Sequence, residues 1–195
     1  MRHRRSLFRD TKGATLVEFA LVSPVLMLML LGMFDMGYNY YVQSQLQGAV
    51  QAAARHSSIE GAEQRSAAID ARVTAAVRQL MRGAEVSFSR KSYTNFSDVS
   101  RPEDFSDIDQ DGICNGGEPF EDANANGVWD DDRGAAGAGG ARDAVLYVVK
   151  VRYRRPFNVG GFVGLPDYVS TQAVTVLRNQ PFEEQIINAR VGNCP

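Results

Sequence analysis

From Ala14 to Phe34 the sequence reads ATLVEFALVSPVLMLMLLGMF, an apolar run broken by one carboxylate, Glu18. A stretch of about 20 such residues has the length of a helix crossing a ~30 Å hydrocarbon layer. Arg2, Arg4, Arg5, Arg9 and Lys12 precede it, opposed only by Asp10, and after Asp35 the next charge is Arg55. Basic residues are retained on the cytoplasmic side, so the run predicts a single-pass membrane anchor with a cytoplasmic N-terminus. The rest of the chain then lies in the periplasm or outside the cell. Tyr38, Tyr40 and Tyr41 fall where an interfacial aromatic belt is expected.

Glu18 is the anomaly. A carboxylate within a membrane helix costs about 3 kcal/mol on insertion scales and is a functional group by default. Cleavage after Gly13 would create an α-amino group on Ala14, and Glu18 of a neighbouring copy could pair with it, setting the register between packed helices. Two plainer readings stay open. One is an uncleaved signal anchor. The other is a cleaved signal peptide, although the small residues Ala49–Ala54 lie well beyond the apolar run.

The string RDTKGATLVEFALVSPVLMLMLLGMFDMGYNYYVQSQLQGAVQAAAR, Arg9 to Arg55, resembles the amino-terminal signature of TadE/TadG-like proteins of the tight-adherence (Flp) pilus system. The resemblance implies a type IV-like prepilin leader, residues 1–13, cut between Gly13 and Ala14 by a membrane prepilin peptidase. Phe19 after the glutamate, and the long body, fit the minor pseudopilin branch better than the major pilins. Implied partners are the inner membrane, the peptidase, other pilins or pseudopilins, and pilus assembly proteins. The competing reading is a signal-anchored, calcium-stabilised periplasmic binding module unrelated to pili.

Beyond the anchor the helix is expected to continue to about His56, with a kink at Pro24, giving a helical segment 14–56 and a body 57–195. Ile69, Val73, Val77 and Leu80 recur at helical spacing, and Gly83 is a stop signal, so residues 62–82 predict an amphipathic helix. Glu85–Ser89 alternates. Val145, Tyr147, Val149, Val151 and Tyr153 share one face of a strand opposite Lys150, Arg152 and Arg154, and Val169–Leu177 is a third β-rich run. The fold class read from this is α+β: a long transmembrane helix, then a pilin-like body with a helix on a small antiparallel sheet. The stretch VKVRYRRPF through TVLRNQPF also resembles the carboxyl-terminal part of the TadE-like domain, which makes residues 103–140 an insertion between strands.

That insertion is acidic: Glu103–Asp132 holds eleven carboxylates and no basic residue. Asp107, Asp109, Asp111, Asn115 and Glu118 occupy positions one, three, five, nine and twelve of a calcium loop, with Gly112 at six and the Ile113 carbonyl at seven. The Ile113 side chain is expected to serve local packing. Asp122, Asn124, Asn126, Val128 and Asp130 repeat the pattern fifteen residues on, with Gly127 at six. Arg133 stands at twelve, so Asp131 or Asp132 would have to close this second loop. Hard oxygen donors favour Ca²⁺ over zinc, one or two ions in a structural role. The flanks lack long amphipathic helices, so these resemble EF-hand-like or dockerin-like loops. Without cations such a block would repel itself and stay extended.

Cys114 and Cys194 allow one disulfide, tying the tail to the acidic loop if the body is exported. Basic residues outside the leader are scattered, which argues against a nucleic-acid partner. His3 and His56 have no catalytic neighbours in sequence, and nucleophile-elbow, HExxH and phosphate-loop motifs are missing. Neither catalysis nor a small-molecule substrate is expected.

Overall fold

The computed structural model describes residues 13–57, 62–157, 161, 164–180, 185 and 189–195. The expected leader, His3 included, otherwise lies outside the described residues. A single 44-residue helix, α1 (Ala14–Ser57), opens the structure and runs through Pro24. It is followed by α2 (Ala62–Leu80), β1 (Glu85–Tyr93), β2 (Pro119–Asp122), β3 (Ala135–Ala136), β4 (Ala144–Arg154), β5 (Tyr168–Arg178) and β6 (Arg190–Asn193). Two compact units divide within α1. One comprises the described part of Met1–Val42 with Arg154–Val169; the other comprises Gln43–Tyr153 with Ser170–Pro195.

In the first unit α1 is long and apolar enough to cross a membrane, and its apolar stretch is unburied. Leu16, Phe19, Leu21, Met29 and Met33 are all exposed. A helix apolar on every side and left unburied by the described residues is suited to lipid, not water.

In the second unit four strands form a sheet in the order β3-β1-β4-β5. β1 and β4 are antiparallel with Phe88 opposite Val149, and β1 pairs β3 through Lys91 opposite Ala136. Val145, Tyr147, Val149, Val151 and Tyr153 are buried while Lys150, Arg152 and Arg154 are exposed, because successive strand residues point to opposite faces. Ile69, Val73 and Val77 of α2 and Leu46, Val50 and Ala53 of α1 supply the helical part of the core. One expected core position moves. Leu80 is only half-buried and Met81 is buried instead, because the chain turns toward β1 there through Gly83 at φ +80°.

Asp70 fastens α2 to the sheet. Arg90 of β1 donates to both its oxygens (3.0 and 2.5 Å), the Tyr147 hydroxyl of β4 donates to it (2.7 Å), and the Arg90 guanidinium lies 4.4 Å from the Tyr147 ring centre. At the far end of β1 the Tyr93 hydroxyl donates to Asp132 (2.9 Å).

Burial, then the neighbouring carboxylates, push the Tyr93 hydroxyl up to about 12 and Tyr147 higher still. Both keep their proton at a pH where a tyrosine in the unfolded chain, at about 10, has lost it. The unfolded state therefore binds fewer protons above pH 10, and stability falls as pH rises from 10 toward 12. The expected loss is about 1.4 kcal/mol per pH unit per tyrosine. Urea midpoints at pH 9 and 11 test this, and equal midpoints would contradict it; Tyr93→Phe should flatten the slope.

Candidate functional site

The acidic insertion folds around a small core of its own, made of Cys114, Cys194 and Phe120 with Phe105 and Trp129 packed against them. Cys114 and Cys194 are joined by a disulfide, with Cα atoms 5.3 Å apart. β6 pairs with β2 in antiparallel register, Gly192 opposite Phe120. A Cβ on Gly192 would lie 2.5 Å from the Phe120 ring, so this position has room only for glycine. Phe105 bridges Phe120 in antiparallel sense, and its ring meets Trp129 edge-on at 5.8 Å.

Both twelve-residue loops coil in the same way. In the first, the Asp111 N–H donates to Asp107 and Asp109 (3.1 and 3.2 Å), the Gly112 N–H to Asp107 (3.0 Å) and the Ile113 N–H to Asp111 (2.8 Å). In the second, the Asn126 N–H donates to Asp122 and Asn124 (both 3.0 Å), the Gly127 N–H to Asp122 (2.9 Å) and the Val128 N–H to Asn126 (2.8 Å). Position four is left-handed in each, Gln110 at φ 64° and Ala125 at 58°, and position six is Gly112 at +77° and Gly127 at +80°. Two consecutive left-handed turns within three residues are what require the glycine.

The side chains after the turn depart from one expectation. Ile113 is 62% exposed and Val128 60%, so neither packs locally. The residues at position eight do: Cys114 and Trp129 enter the small core. The chain is extended there, so alternate side chains face opposite ways, and a carbonyl at seven comes with a core residue at eight.

Glu118 closes the first loop. It is buried, accepting from the Ile108 N–H at position two (2.5 Å) and the Asn115 N–H at position nine (3.4 Å). One oxygen from each of Asp107, Asp109 and Glu118 lies within 4.8 Å of the others. Oxygens around one Ca²⁺, each 2.3–2.6 Å from it, lie at most about 5.2 Å apart, so this spacing is compatible with a shared ion.

Asp132, expected to close the second loop, is held elsewhere by Lys91 Nζ (2.7 Å) and the Tyr93 hydroxyl. Burial alone would raise its carboxyl, but these two donors hold it below the usual range. Arg133 turns to Glu121 (2.9 Å) and Asp104 (3.2 Å). The carboxylate that makes the bonds Glu118 makes is Glu103. It is 2% exposed, and accepts from the Ala123 N–H at position two (2.9 Å) and the Asp130 N–H at position nine (3.1 Å). Burial raises its carboxyl in spite of these N–H groups. The Phe105–Phe120 bridge explains the placement. With Ser106 N–H on the Pro119 carbonyl and Glu121 N–H on that of Asp104, the register sets Glu103 opposite Asp122, the first residue of the loop.

At the other end of the chain, Gly13 immediately precedes α1, whose first residue is Ala14; Glu18 stands one turn in and is exposed. Residues 13–55 match the family model described as TadE-like protein. No curated protein and no solved structure matches the chain. The TadE-like segment therefore covers the whole apolar run and most of α1, and it ends before α2, the sheet and the acidic loops.

Proposed function

We propose that the chain is a structural pseudopilin of a tight-adherence (Flp, type IV-like) pilus system, cut after Gly13 by a prepilin peptidase and acting in pilus assembly. The observation that carries this reading is the coincidence of the TadE-like match, residues 13–55, with a helix beginning at Ala14 and bearing an exposed Glu18 one turn later. Removal of the leader leaves the Ala14 amino group at the bilayer face, where Glu18 of an adjacent subunit pairs with it, each charge offsetting the cost of the other. The anchor sits in the inner membrane with the body on the far side, among other pilins and assembly proteins. The family is structural, and the protein is not read as an enzyme.

Mass spectrometry of the native protein tests the reading. A mature N-terminus at Ala14 is expected, and Gly13→Leu should abolish processing. An intact Met1 in the wild type would favour the signal-anchored alternative, and a cut near Ala54 a cleaved signal peptide; either overturns the reading.

We further propose that each acidic loop holds one Ca²⁺ in a structural role. Asp107, Asp109, Asp111, Asn115, Glu118 and the Ile113 carbonyl form the first donor set. Asp122, Asn124, Asn126, Asp130, the Val128 carbonyl and Glu103 form the second. Four carboxylates against three make the first loop the tighter site. Titration calorimetry on the full chain in detergent is expected to give two ions per chain. Glu118→Gln should weaken the first site, and Glu103→Gln should leave one ion bound at the first. Two unaltered sites in Glu103→Gln would exclude it as a ligand, and no heat in the wild type would exclude calcium altogether.

A further inference from the structure

We propose that the two ends of the β4–β5 connection, residues 154–157 and 164–169, form a second membrane-contacting surface, seated in the lipid headgroup layer where α1 leaves the bilayer. The proposal rests on the reading of α1 as a membrane span. It names a further surface on the same unit and the partner that surface meets.

The level is set by α1 itself. At 1.5 Å rise per residue, the helix from Ala14 to Phe34 covers about 30 Å, the thickness of the hydrocarbon layer. Phe34 thus lies at its outer boundary and Asp35, the first charge after the run, in the headgroups. The connection is fixed to these two residues. The Phe157 ring lies 6.2 Å from that of Phe34, and the Arg155 guanidinium donates to the Asp35 carboxylate. Asp35 is only 7% exposed and also accepts from Asn39 (3.3 Å). Arg155 holds the returning limb as well, through Nε to the Pro166 carbonyl and its backbone N–H to that of Asp167, both 2.9 Å. One arginine therefore gathers both ends of the connection at the level of Asp35.

The composition matches that depth. Pro156 to Pro166 contains no charged residue, and Arg155 and Asp167 bracket it. Leu165 and Tyr168 are both 48% exposed, on the same unit as the exposed Phe34, Met36, Tyr40 and Tyr41. A water-facing connection of this length is ordinarily polar, whereas aromatic and aliphatic residues beside a span belong to the membrane interface. The ion pair permits the seating. Each charge neutralises the other where a lone carboxylate or guanidinium would resist leaving water.

The test uses the full chain, with its disulfide intact, in phosphatidylcholine–phosphatidylglycerol vesicles. A nitroxide is placed on Met29→Cys in the span, Leu165→Cys in the connection or Val174→Cys on β5, and its accessibility to oxygen and to a water-soluble nickel chelate is measured. Leu165 is expected to be several-fold less accessible to nickel than Val174, with Met29 deeper still. Arg155→Gln should return Leu165 toward the Val174 value. Equal nickel access at Leu165 and Val174, with Met29 deep, overturns the proposal and leaves the span standing. Nickel access at Met29 overturns the span and the proposal together. Protection of Leu165 that disappears as the chain is diluted in lipid assigns the surface to a second copy and also overturns it.

Discussion

Replacing both cysteines with serine is expected to destabilise the body by about 4.5 kcal/mol. Cys114 and Cys194 are 80 residues apart, and a chain-entropy model for a loop of that size gives a loss of about this amount. Little else in the insertion could compensate. Its core amounts to Phe105, Phe120 and Trp129 around the sulfurs, and β6 is four residues long. So small an apolar cluster does not hold a tail against its conformational entropy. The loss should also reach the first loop, because Cys114 stands at its eighth position and the Cys194 N–H donates to the Glu118 carbonyl (2.7 Å). Urea unfolding followed by fluorescence of Trp129, the single tryptophan, measures the effect. A change below about 1 kcal/mol would mean that the tail and its bond are dispensable, against the usual cost of losing a native disulfide.

The same bond shows what a sequence discloses and what it withholds. The faces of α2 and β4 are local patterns, so Ile69, Val73 and Val77, and the alternation from Val145 to Tyr153, could be read directly. The calcium-type spacing from Asp107 to Glu118 is equally local. Glu103 is not: it lies nineteen residues before Asp122, and the Phe105–Phe120 register brings the two together. Asp132 looked suitable by spacing, but Lys91 and Tyr93 hold it from 41 and 39 residues away on β1. β3 falls within the glycine-rich linker Gly134–Gly140, and β6 in what reads as an ordinary tail, because both are made by their partners and not by their own propensity. The Arg155–Asp35 pair joins residues 120 apart and had no sequence signal at all. Where a site is written within one turn or one loop it was legible; where two distant strands compose it, it was not.

The buried network on Asp70 supplies the second large effect. Asp70→Ala leaves the Arg90 guanidinium without its carboxylate and the Tyr147 hydroxyl without its acceptor. Removing one partner of a buried pair costs about 3–5 kcal/mol, most of it from the charge left behind. The side chains here are 16% and 22% exposed, so water screens part of this and the lower end, about 3 kcal/mol, is expected. Asp70→Asn should cost less, since an amide oxygen still accepts from Arg90 or Tyr147. Tyr147→Phe should cost about 1 kcal/mol, the worth of one hydrogen bond, because the ring and its contact with Arg90 survive. The ordering matters more than the values. If Asp70→Ala and Tyr147→Phe were equally mild, the ion pair would contribute nothing beyond packing, and α2 would be held to the sheet by Ile69, Val73 and Val77 alone. If Asp70→Ala is severe and an added Arg90→Met restores most of the loss, the damage lies in the stranded charge. The pair then acts chiefly to fix how α2 is placed on the sheet, and burial of the apolar face supplies the stability.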